Sequence, residues 1–81
     1  MKLAQAICHY HIFGANFVDI YVVRTNKKTN TQYMFVIAMI RNKGHLYVDY
    51  KMQDLFEKLQ DRTCEIYSEA SSRIIKIIVK E

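Results

Sequence analysis

Histidine and cysteine are the side chains of this sequence with the most chemistry in reach. His9-x-His11 has a spacing found in some zinc sites, because on a strand the two imidazoles share a face. A metal needs more ligands than two, and His45 and Asp19 are the only further candidates. Cys8 stands next to His9, but neighbours on a strand point to opposite sides, so the two cannot form a nucleophile and base locally. On the drier face of that strand Cys8 reads as a small core residue. No Ser-His-Asp arrangement and no glycine-rich phosphate loop is present. Asp54, Glu57, Asp61 and Glu65 read as charges on a solvated helix face. The expectation is a protein without catalytic residues, metal or cofactor, one that binds rather than reacts.

Aromatic and basic residues offer a second kind of chemistry. Tyr21, Tyr33, Phe35 and Tyr47 on a sheet could stack bases, while Arg24, Lys27, Lys28, Arg41 and Lys43 at strand ends and turns could meet phosphates. The strand order is wrong for the common RNA-recognition fold, and no aromatic motif of that fold is present. On this reading Lys27 and Lys28 act at one end of the sheet and Lys43 at the other, with the aromatic face between.

Composition narrows the partners. The chain has 81 residues, a net charge of +4 and an isoelectric point near 9.2. That balance favours nucleic acid or an acidic protein surface and excludes an acidic DNA mimic. A hydrophobic fraction of 51 % without proline excludes a disordered or linker-rich chain. Two cysteines make no disulfide framework. Polar residues interrupt any apolar signal segment, and no run approaches membrane length. A reducing cytoplasm is the expected compartment.

The elements that must position these residues follow from periodicity. Residues 2–13 alternate, with Ala4, Ala6, Cys8, Tyr10 and Ile12 on one side, and predict a first strand. Residues 17–25 predict a second, residues 32–41 a third that is apolar on both faces, and residues 45–50 a short fourth. The period changes at Lys51: Met52, Leu55, Phe56 and Leu59 form a helical stripe, with Asp49 as its N-cap. The stripe continues through Thr63, Ile66, Tyr67 and Ala70, which favours one long helix. The alternative is a strand over 63–67 with Cys64 and Ile66 inward, and a hairpin tip at 68–72. Residues 73–80 predict a final strand whose lysines suit an exposed edge. The predicted fold is one α+β domain spanning residues 1–81. An antiparallel four-stranded meander carries one helix on one face, and a last edge strand pairs antiparallel with the first (β-β-β-β-α-β).

One helix covers one side of such a sheet. The even-numbered residues fit that side. The odd-numbered set, including Phe13, Phe17, Tyr21, Val23, Tyr33, Phe35, Ile37, Met39 and Tyr47, is too apolar for a face left in water. Phe17, Tyr21, Tyr33, Phe35, Ile37 and Tyr47 are therefore the candidate partner-binding residues. Through them, or through an open edge, the chain is expected to form a homodimer or to dock on another protein as a stoichiometric regulator or inhibitor. In compactness and lack of chemistry it resembles the small accessory proteins of phages and mobile elements. The rival reading is an RNA- or single-stranded-DNA-binding module.

Overall fold

The structure, a computed structural model, describes residues 1–69 and 71–81. Its elements run α1 (Leu3–Phe13), β1 (Val18–Asn26), β2 (Thr31–Arg41), β3 (His45–Val48), a 3-10 turn (Tyr50–Met52), α2 (Gln53–Lys58), β4 (Cys64–Ser68) and β5 (Ile75–Lys80). The five strands form one sheet in the order β3-β2-β1-β5-β4. All neighbours are antiparallel except β1 and β5, which run parallel.

Residues 2–13 are thus a helix, not the predicted first strand. Leu3, Ala6, Ile7 and Tyr10 fall at i, i+3, i+4 and i+7, and the first three are buried against the sheet. Alanine and leucine favour the helix, and both ends are closed. Gln5 Oε1 accepts from the Lys2 amide at 3.0 Å. Gly14 takes a left-handed φ of 72°, with its own amide donating to His11 O and that of Ala15 to Tyr10 O. His9 and His11 consequently do not share a strand face. His11 Nδ1 lies 2.7 Å from Gly44 O, whereas the His9 ring packs on Tyr10 and Phe13. Cys8 is exposed rather than in the core.

The long helix is also corrected. Asp49 caps the 3-10 turn through Lys51 N at 3.0 Å, and α2 follows, but the chain is extended again by Cys64. Of the predicted stripe, Leu59 is fully buried and Met52, Leu55 and Phe56 are half-buried. A strand is observed there, as in the alternative, but over Cys64–Ser68, with Cys64 buried and Ile66, expected inward beside it, exposed. The hairpin tip proposed at 68–72 includes Ala70, which lies outside the described residues.

β5 is not an edge strand. It lies between β1 and β4 and runs parallel to β1, with Val18, Ile20 and Val22 beside Ile75, Ile77 and Val79. A parallel partner requires a crossover. The segment from β3 to β4 supplies it, carrying α2 from one edge of the sheet to the other. Leu3, Ala6, Ile7 and Leu59 from the helical layer join Val18, Ile20, Val22, Ile40, Ile77 and Val79 in one buried cluster. Both helices therefore serve the same side of a mixed sheet.

Burial separates the two cysteines. Desolvation pushes the Cys64 thiol above its ordinary value, so less reactive thiolate is present. At pH 8 a thiol reagent is expected to modify Cys8 rapidly and Cys64 only after unfolding, as mass spectrometry over time would show. Equal rates would mean that Cys64 is not packed as described.

Candidate functional site

Residues paired across a ladder point to the same face, so the register maps the side that the helices leave open. The row across the sheet from β3 reads Tyr47, Met39, Asp19, Lys76, Tyr67. The next is Val36, Tyr21, Ile78, Glu65, and the third Met34, Val23, Lys80. An apolar lobe thus spans β3, β2 and β1, with Ile78 extending it onto β5. A strip of Lys76 and Lys80 borders it on β5. Met34, Val36, Met39, Tyr47 and Tyr67 are exposed, while Tyr21, Val23 and Ile78 at the centre are half-buried by their neighbours.

A β-bulge decides which residues of β2 take part. Ile20 pairs with Ala38, but Tyr21 pairs with Val36, so Ile37 is the extra residue. Beyond it the side chains of β2 exchange faces. Tyr33 and Phe35, expected on the open face, lie on the helical side. Phe35 packs against the core, Tyr33 stacks on Phe35 at 6.0 Å, and the Arg24 guanidinium sits 5.2 Å from the Phe35 ring centre. Ile37 is fully buried. Met34 and Val36 occupy the open face in their place. Phe13, also expected there, belongs to α1. Of the six predicted partner-binding residues, Tyr21 and Tyr47 lie in the apolar lobe and Phe17 flanks it over Arg41.

The predicted phosphate contacts divide into two groups. Arg41 is already engaged: Nη2 donates to Asp19 Oδ1 at 2.8 Å, Nη1 donates to Val18 O and Ile40 O, and Phe17 covers it at 5.5 Å. Arg24 is clasped by Glu81, with Nη2 to Oε1 at 3.1 Å and a second bond from Nε to Oε2. That pairing holds the Glu81 carboxyl below its ordinary value and raises the guanidinium's. Lys27 and Lys28 sit at the β1–β2 hairpin tip and Lys43 in the β2–β3 turn, at opposite ends of β2. Lys76 and Lys80 were missed as site residues. Placing β5 at an edge concealed that its lysines border the lobe, although Ile78 among them makes both faces of that strand partly apolar, the pattern of an interior strand.

Other clusters give less. On β4, Tyr67 donates to Glu65, which raises the phenol above its ordinary value. Among the described residues no three of His, Cys, Asp and Glu gather as a metal site, and no helix is long and apolar enough to cross a membrane. Fold and surface together define a two-layer α+β domain with a mixed five-stranded sheet, helices on one side and an apolar lobe beside lysines on the other. No known protein family matches the chain, and neither a curated protein nor a solved structure is significantly similar to it.

Proposed function

We propose that this is a small non-catalytic binding domain that docks the open face of its sheet on another protein, as a stoichiometric regulator or inhibitor. The observation that carries this reading is the apolar lobe of Tyr21, Val23, Met34, Val36, Met39 and Tyr47, over which no element among the described residues folds. Contiguous apolar surface of this kind on a small domain marks an interaction site, and tyrosine and methionine are typical of interface centres. Lys76 and Lys80 at its border favour a partner with acidic groups around an apolar centre, and steer its approach.

Protein is favoured over nucleic acid by the state of Arg24 and Arg41, the two arginines expected to meet phosphate. Both have carboxylate partners within the domain, and Glu65 adds negative charge to the open face. A phosphate backbone would meet mainly lysines at the margins.

Affinity capture after nuclease treatment tests this. The half-buried Tyr21 has Val36 and Ile78 beside it, with Lys76 and Lys80 diagonally placed, so Tyr21→Glu puts a charge in the lobe while leaving it cations nearby. Wild type should retain a protein partner that Tyr21→Glu loses, while the variant still melts cooperatively. Retention by both would remove the open face as the docking surface. Binding of single-stranded RNA that weakens steeply between two salt concentrations would favour the nucleic-acid reading instead.

A further inference from the structure

A separate feature lies along the edge of β2. This strand runs Thr31–Arg41, but β3 pairs only with Ala38–Arg41, and Ile37 O is taken by the Asp49 amide. Among the described residues, no strand lies beside the outer side of Thr31–Val36. Exposed edges are ordinarily blunted by lysine, proline or an inward charge. Thr-Gln-Tyr-Met-Phe-Val has none of these. One end of the segment is the hairpin tip with Lys27 and Lys28, and the other is the step where β3 stops. At that step is a hollow of about 340 Å³ lined by Val36, Ile37, Met39, Tyr47, Val48 and Asp49.

We propose that the occupant of this edge is a second copy of the chain, the two β2 strands pairing antiparallel about a twofold axis near Met34. The lengths match. An axis at residue 34 sets residue 31 of one copy beside residue 37 of the other, which is where β3 begins to occupy the edge. The strand cannot extend further, so the hairpin tip of each copy comes to rest in the other's hollow. Charge matches as well: Lys27 and Lys28 approach the exposed Asp49 carboxylate, and the paired segments carry no charge to repel. The two sheets become one of ten strands, and the apolar lobes, which reach Met34 and Val36, become continuous across the axis. A twofold pair of this kind is closed and leaves no β2 edge for further addition.

Sedimentation equilibrium tests the pair. Wild type should show a mass of twice 9.6 kDa. Tyr33→Glu puts a carboxylate beside the axis on the helical side, at a position exposed in the monomer and so tolerant of charge. It should weaken association by about tenfold, because the two copies then set like charges near each other across the axis where two tyrosine rings stood. Asp49→Asn keeps the cap on the 3-10 turn and removes only the charge; it should weaken association by about tenfold or less, as expected of one rim charge. Asp49→Lys mixed with the double variant Lys27→Glu, Lys28→Glu should form mixed pairs in preference to either pure pair, since both junctions are then complementary. A monomer at all concentrations overturns the proposal. A dimer that Tyr21→Glu breaks and Tyr33→Glu leaves whole is a face-to-face pair and overturns it too. Partner capture on the open face is read separately, so either idea can fail alone.

Discussion

Gly44→Ala is expected to loosen the C-terminal end of α1 from the sheet and to cost about 2–4 kcal/mol, from the strain of a positive φ together with overpacking. Gly44 sits in the β2–β3 turn at φ 96°, outside the range that side chains adopt comfortably. A Cβ there would stand 2.4 Å from His11 O and 3.2 Å from Gly14 Cα. Both obstacles are backbone, so no rotamer change relieves them. Three groups converge on this turn: Gly44 N donates to Ala15 O at 2.8 Å, Lys43 N donates to Asn16 Oδ1 at 2.8 Å, and His11 Nδ1 contacts Gly44 O. A domain of this size has about 4–12 kcal/mol of stability in all. Urea unfolding should show a midpoint far below wild type, and exchange of the α1 amides should accelerate before that of β1. An unchanged midpoint would mean that the turn and helix do not meet in this way.

Leu59→Ala is expected to cost about 2–5 kcal/mol, the range for emptying a fully buried leucine site. Leu59 follows α2, where the crossover leads towards β4, and no part of it reaches solvent. It ties the crossing segment to the same cluster that α1 and the central strands build. Leu55→Ala, at a half-buried position, should cost clearly less, although both belong to one helical stripe in the sequence. Thermal and urea unfolding of the two variants checks the order. Equal losses would show that α2 is more deeply seated than its exposure indicates.

The outcome over residues 2–13 shows how far the sequence was legible. Ala4, Ala6, Cys8, Tyr10 and Ile12 satisfy period two, while Leu3, Ala6, Ile7 and Tyr10 satisfy the helical period equally well. The helix has apolar groups all round: Ile12 and Phe13 are 78 % exposed although α1 packs on the sheet. A nearly uniform apolar surface weakens the contrast on which periodicity depends. The hairpin of β1 and β2, the short β3 and the turns between them were readable because their signals are local. The bulge at Ile37 was not, since it contains no glycine and arises from the register of two strands. It changed the candidate surface, moving Tyr33 and Phe35 to the helical side and bringing Met34 and Val36 forward. The place of β5 was hidden for a related reason: nothing near Ile75 specifies a parallel neighbour at Val18.

That parallel pairing also sets an order of events in folding. The three-stranded meander can form from contacts close along the chain, whereas β5 can join only after nearly the whole length between Val18 and Ile75 has been brought round, and the start of α1 bonds to Gln60 and Arg62 from the same late segment. Closing so long a loop is entropically costly before any contact rewards it. Until β5 arrives, β1 has a bare inner side, and Ile20 and Val22 lack half of their neighbours. Recovery after dilution from denaturant should therefore be limited by the docking of the β4–β5 pair. In that interval two chains could exchange the β4–β5 hairpin, so yield should fall as refolding concentration rises.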